Sequence, residues 1–349
     1  MNGLNSRILS GGDLAQALPR LTEWSEQLGR GHPAHHPLWL YVLREGMGHT
    51  PLVLESYRNQ ETTGILPLAL VKSSLFGRFL VSLPYLNVGG VLSNDPESRA
   101  ILVQEGVKLS HSLNSRHLEL RHETPVLHES LNGTRSNKVH MRLSLPDFPG
   151  PLWEELSPKV RNQVRKGERS GLTCHWGTTE LLDEFYFVFA RNMRDLGTPV
   201  YSKRLFAAII HYFPSDAEFC LVRHQGKPVG GALLVHGSQV TEVPSASCLR
   251  EYNPLSPNML LYWNLIDRAI QREQRVFDFG RATKDGNTYK FKKQWGAEES
   301  PAIWQYHLKG TAADLRTDNP KYGRMIQLWK RLPMPIANFL GPKIVRGIP

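Results

Sequence analysis

The sequence predicts a mixed α/β protein built from two similar halves, and three observations carry that expectation. The chain has 349 residues, more than the ~100 to 200 of a typical single domain. Apolar runs of strand length alternate with turn residues in both halves. Each half also follows the same order of a meander, a helix and a further strand.

In the first half, strands are expected over Pro51 to Tyr57 and Gly64 to Lys72, with the polar turn Arg58 to Thr63 between them. A third apolar run covers Phe79 to Leu83. Asn94, Asp95 and Pro96 then open a helical pattern through Leu113, ahead of a strand from His117 to Arg121. The second half repeats this with Glu218 to Arg223, a turn at 224–228, Val229 to His236, a turn at Gly237 and Ser238, and Gln239 to Val243. Ser256 is expected as N-cap and Pro257 at N1 of a helix to about Glu273, followed by a strand from Val276 to Phe279.

Antiparallel hairpins joined through a helix to another strand describe a mixed sheet, and the duplication suggests two such sheets side by side. Pro146, Pro149, Gly150 and Pro151 mark the boundary. The units are then residues 1–145 and 146–309, with a basic tail at 310–349 packing on them.

Lys and Arg outnumber Asp and Glu by 42 to 32, a formal charge of +10. Such a balance favours an anionic partner: a nucleic acid, a phosphorylated substrate or an anionic membrane face. The N-terminus has no basic end followed by an apolar core, and no later stretch reaches the ~18 apolar residues of a membrane span. A cytoplasmic protein is expected. Cys174, Cys220 and Cys248 are odd in number and widely spaced, which argues against a disulfide framework or a thiolate zinc site. His32, His35 and His36 lack metal-ligand spacing, so no metal and no cofactor is expected.

Two segments carry charge in a pattern. Ser157 and Pro158 open a helix that Gly171 closes, and Arg161, Arg165 and Arg169 recur along one face of it. Such a face is either simply solvated or a cradle for phosphates, including a tRNA backbone. The second segment begins with the strand around Asp278, where alternation places Phe277 and Phe279 in the core and Asp278 outside it. There Asp278 pairs with a nearby cation or orients Arg281 or a substrate amine. If 289–293 is extended, Tyr289 and Phe291 face away from Lys290 and Lys292. Arg281, Lys290, Lys292 and Lys293 then gather beside Gly280 and Gly286 as an oxyanion-stabilising group or as a solvated strand edge.

The run from Phe277 to Gly296, FDFGRATKDGNTYKFKKQWG, resembles the closing motif of FemAB-type transferases. Leu156 to Arg161 resembles that family's basic helix, Gly197 to Ser202 its acceptor-side segment, and Asn253 to Trp263 the start of its crossover helix. The first half agrees through His36 to Trp39, Gly64 to Leu68, Phe76-Gly77, Ser82 to Pro84 and Gly89-Gly90. The chain looks most like the FemAB-like proteins associated with exosortase and exopolysaccharide loci, supported by Trp329 to Pro333 and Leu340 to Pro342.

The resemblance implies twin GNAT-like domains with an acceptor cleft, and places Lys292 of the Phe291-Lys292 pair near the reacting carbonyl. Asp278 and Arg281 complete the expected catalytic group. Arg161, Arg165, Tyr201, Asn258, Tyr262, Trp263, Tyr289 and Phe291 are the expected substrate contacts. The implied activity is transfer of an acyl or aminoacyl group to an amine of a cell-envelope precursor, a peptidoglycan peptide or an exopolysaccharide amino sugar. The chain has no heptad run for the coiled-coil arm of tRNA-dependent relatives, and no Gly-rich pyrophosphate loop before the crossover helix. Aminoacyl-tRNA and acyl-CoA both remain as donors, the alternatives being an acetyl-CoA-dependent N-acetyltransferase and a non-catalytic polyanion-binding module. Peripheral membrane contact by the tail, residues 311–349 with seven Lys or Arg against two Asp, is a further expectation.

Overall fold

The computed structural model describes residues 3–28, 31–74, 76–310 and 321–348. The first unit opens with β1 (Asn5–Leu9), α1 (Gly11–Gln27), a 3-10 turn at Pro33–His35 and α2 (Trp39–Met47). The meander β2 (Thr50–Arg58), β3 (Glu61–Ser73) and β4 (Gly77–Val81) follows, then β5 (Leu92–Ser93), α3 (Pro96–Ser112), β6 (His117–Leu120) and β7 (Gly133–Ser144). Next come α4 (Pro149–Glu155), α5 (Pro158–Arg169), β8 (Leu172–Gly177), α6 (Leu182–Leu196) and α7 (Lys203–Tyr212). The second meander is β9 (Ala217–His224), β10 (Lys227–His236) and β11 (Val240–Cys248). It leads to α8 (Pro257–Gln271), β12 (Val276–Thr283), α9 (Asn287–Lys293) and β13 (Glu298–Leu308), with α10 (Lys321–Lys330) and α11 (Met334–Val345) in the tail.

The expected meander, helix and strand appear in both units. In place of two separate sheets there is one 13-stranded sheet among the described residues, in the order β1-β2-β3-β4-β6-β13-β7-β12-β11-β10-β9-β8 with β5 against β3. The reason lies in β7 and β13, which sequence reading passed over. β7 ends the first unit yet pairs with β12, and β13 ends the second yet pairs with β6. The two also pair with each other. Each unit therefore lends its last strand to the other, which satisfies ladder groups that a separate sheet would leave at an open edge.

Within each unit two strands run parallel and then part. β4 and β6 pair only at Leu80–Leu118 and Val81–Glu119, while β11 and β12 pair from Val240–Val276 to Glu242–Asp278. The crossovers between them are α3 and α8. Asp95 caps α3 by accepting from the Ser98 N–H at 2.8 Å. Ser256 does not cap α8 as expected. It leaves a 3-10 turn at Arg250–Leu255 with φ +61°, and its side chain makes no capping bond, although Pro257 does occupy the first turn.

Strand alternation divides the apolar residues between the two faces of the sheet. On one face α1, α2, α6 and α7 from both units share a single core that includes Leu40, Phe185, Phe206 and Phe219. On the other, Leu102, Val103 and Leu109 of α3 cover the first unit, while α5 and α8 cover the second through Val160, Val164, Leu261 and Leu265. In the tail, α10 and α11 both contact α6. The chain end reaches the first unit, where the Tyr85 hydroxyl donates to the Val345 and Arg346 carbonyls at 3.3 and 3.2 Å. Residues 311–320 of the tail lie outside the described residues. None of the described helices is long and apolar enough to cross a membrane.

Candidate active site between the two units

At the middle of the sheet the shared face changes character. Along β7, Val139, Met141 and Leu143 pack into the core beneath α5 and α8, so the alternating Lys138, His140 and Arg142 turn to the opposite face. Arg142 stands opposite Asp278 and His140 opposite Arg281 on β12. Glu242 of β11 flanks Asp278 on its other side. Charged groups therefore collect where the paired strands begin to diverge.

Asp278 was expected outside the core and is fully buried. Its Oδ2 accepts from Arg142 Nε at 2.7 Å and lies 3.2 Å from His32 Nε2, and its Oδ1 accepts from the Gly280 N–H at 2.6 Å. Burial disfavours its charge, but the His32 and Arg142 contacts outweigh that and hold it well below the usual carboxylate range. It pairs with cations, as one reading of the sequence had it, and Arg281 is not among the partners these contacts define. Arg142 also donates to Glu123 at 2.6 Å.

Glu242 responds in the opposite direction. Burial and the neighbouring Asp278 raise its pKa against the pull of His32, and Asn87 Nδ2 donates to it at 2.9 Å. Two cross-strand carboxylates pushed apart in this way can hold different protonation states, the arrangement acid–base chemistry requires. His140 is 2% exposed, and neither ring nitrogen has a hydrogen-bond partner among the described residues. Burial pushes it down to about 4, so it is neutral at pH 7.

Lys292 departs from the extended reading of its segment. Residues 287–293 form α9, so Lys290 and Lys293 point to solvent while Lys292 turns inward and is 5% exposed. It is therefore not part of a solvated strand edge. Its Nζ donates to the Arg281 carbonyl at 3.0 Å. Burial pulls it down to about 8, against the attraction of Asp278 and Glu242 and with help from Arg281 and Lys138. Arg281 is fixed by a bond from Nε to Asn87 Oδ1 at 3.1 Å and lies over the Trp304 ring at 3.4 Å.

Two openings meet this cluster. One is a narrow apolar pocket lined by Trp39, Leu43, Tyr85, Tyr201 and Phe206, with Glu242, Pro244 and Ser245 of β11 in its wall. The other, of about 380 Å³, is lined by His32, His35, His36, Phe213 and Ser238. Side chains from both units contribute to each.

The other expected contacts divide between core and surface. Tyr262 and Phe291 meet edge to face at 4.8 Å and pack with Phe279 and Trp295 in the core on the far face. Trp263 lies against Trp153 at 4.6 Å, with Arg165 loosely over Trp153 at 5.5 Å. Arg161 is half-buried and Arg165 exposed. Asn258 sits near Cys248, and Tyr289 bonds Glu299. His32, Asn87, Arg142 and Glu242 were missed. Alternation over Lys138 to Leu143 was the one local signal for Arg142, whereas His32 and Asn87 come from loops of the first unit.

This fold defines a class, that of two GNAT units in tandem. Residues 157–293 match the acetyltransferase (GNAT) domain family. Among solved structures, FemX shares the fold with a TM-score of 0.61 and 14% identity over 84% of this chain and 97% of that one. The C-terminal domain of a putative lysylphosphatidylglycerol synthetase from Agrobacterium fabrum gives 0.59 and 13%, over 86% and 94%. A tandem GNAT protein from the clavulanic acid biosynthesis pathway gives 0.55 and 12%, over 88% and 99%. No curated protein sequence matches the chain.

Proposed function

We propose that the protein transfers an acyl or aminoacyl group to an amine of a cell-envelope precursor, a peptidoglycan peptide or an exopolysaccharide amino sugar, in the cytoplasm. The units doing so are 1–145 and 146–309, each ending on the strand it lends to its neighbour. The observation that carries this reading is Lys292, a cationic side chain drawn inward beside the charged groups at the junction. As an amine attacks an ester or thioester carbonyl, the C–N bond forms and negative charge collects on the carbonyl oxygen, where Lys292 supplies the countercharge. The amine proton passes to the ionised Glu242 carboxylate, which burial makes a stronger base than Asp278. The C–O or C–S bond to the leaving group then breaks, and the proton held by Glu242 passes to the departing oxygen or sulfur. Resemblance to FemAB proteins and to a lysylphosphatidylglycerol synthetase domain supports an aminoacyl cargo, with aminoacyl-tRNA or an acyl-CoA as donor.

Single-turnover transfer by Lys292→Ala and Lys293→Ala tests the reading. Loss of the buried cation should cost ~10² to 10³ in rate, and loss of its exposed neighbour almost nothing. Equal rates in all three proteins would sink the assignment. Retention of CoA through purification would favour the acetyl-CoA-dependent alternative.

A separate observation favours membrane contact by the tail. Met325, Leu328, Ile336 and Phe339 are exposed by 61, 66, 45 and 63%, with Lys343 stacked over Phe339 at 3.6 Å and Arg331 exposed nearby in sequence. Apolar side chains rimmed by cations suit an anionic bilayer surface. Cosedimentation with anionic vesicles should fall sharply in a Leu328→Asp/Phe339→Asp protein. Unchanged binding, or self-association lost in that variant, would remove this reading.

A further inference from the structure

We propose that the pocket between β7, β12 and β13 binds a phosphoryl group of the activated substrate, at a site formed by Arg135, Lys138 and Arg281. It rests on the transferase reading only in assigning the phosphoryl group to a substrate.

The pocket holds about 130 Å³ and is lined by Arg135, Asn137, Lys138, Arg281, Ala302 and Trp304. No carboxylate is among these. The nearby Glu119 is already engaged by Arg121 at 2.6 Å. Arg121 and Arg281 both lie against Trp304, at 3.9 and 3.4 Å. The Arg281 guanidinium is thus held in place in the pocket wall, with Nε committed to Asn87 and its plane over Trp304. Burial and the neighbouring Arg121 pull Arg281 down, and burial and Arg281 do the same to Lys138. Cations gathered at such cost to one another gain most from a multiply charged anion, and a fixed guanidinium beside a lysine suits phosphate oxygens. Because Lys292 bonds the Arg281 carbonyl, an anion here would lie one residue from the proposed reacting centre. None of the lining residues comes from the start of α8.

Calorimetry of the full-length protein with inorganic pyrophosphate tests the site without turnover. One equivalent should bind, with an affinity that falls as salt rises. Lys138→Glu should weaken it at least ~10-fold, and so should Ala302→Asp, which places a carboxylate against the pocket. Lys227→Glu, at the exposed start of β10, should change little. CoA, UDP-N-acetylglucosamine and tRNA are then set to displace pyrophosphate, and the one that does so carries the phosphoryl group. No binding, equal affinity in all variants, or no displacement by any of the three would overturn the proposal. Lys292→Ala keeps the two claims apart: it should lose transfer and still bind pyrophosphate.

Discussion

Helix α5 and the centre of the sheet are both rich in charge, and they treat it in opposite ways. On α5, Arg165 and Arg169 project into water, and the apolar Val160 and Val164 do the packing. At the junction, Asp278, Arg142, His32, Glu242 and Lys292 sit where water is scarce, and each depends on its partners. Charge on a solvated face costs little and contributes little to stability. Charge in the interior is stabilising only as a set, because each unpaired member carries a large desolvation penalty.

The sharpest break in that comparison comes from Asp278→Ala, which leaves Arg142 and His32 facing an empty site. Urea unfolding should show a loss of about 3–5 kcal/mol. Asp278 is held below its ordinary range, so its stabilisation is present above the usual aspartate pKa and is lost as pH falls toward its depressed value. A loss below about 1 kcal/mol would mean that water reaches the pair freely.

Lys292 sharpens the comparison through pH. With its pKa near 8, the charged form required for transfer should disappear as pH rises through that value. Its contribution to stability runs the other way. The folded state loses its proton before the unfolded chain does, so stability rises between about 8 and the ordinary lysine range. A Lys292→Arg protein should shift or remove the alkaline limb of the rate profile. An identical limb would assign it to another group.

On α5, reversing Arg161 and Arg165 together should weaken polyanion binding and flatten its salt dependence, since each phosphate contact contributes about −0.9 to the slope. An unchanged slope would leave the helix face simply solvated. The smallest effect is expected from Arg165→Ala on folding. Stability should stay within about 0.5 kcal/mol of the parent, because the side chain is exposed and its contact with Trp153 is loose.

The difference between these regions also governs what could be read in advance. Arg161, Arg165 and Arg169 were legible because helix spacing alone puts them on one face. Lys292 stood out through resemblance, but its burial did not. A seven-residue segment of alternating aromatic and basic residues satisfies strand and helix patterns equally well, and α9 is helical because Tyr289, Phe291 and Trp295 pack into the core beside Tyr262. Asp278 was misplaced for a related reason: alternation tells one face from the other, but not whether the second face is wet.

By itself the sequence determined the two meanders, their crossover helices, the basic face of α5 and the twin-GNAT fold class, since each depends on local period, turn chemistry or a contiguous motif. Only the tertiary structure decided that β7 and β13 change places and join the halves into one sheet. Only it brought His32 and Asn87 from first-unit loops onto Asp278 and Glu242, 246 and 155 residues away along the chain. Such pairings form when separate apolar faces are buried together and a strand edge needs a partner, and no short stretch of sequence contains both sides of that requirement.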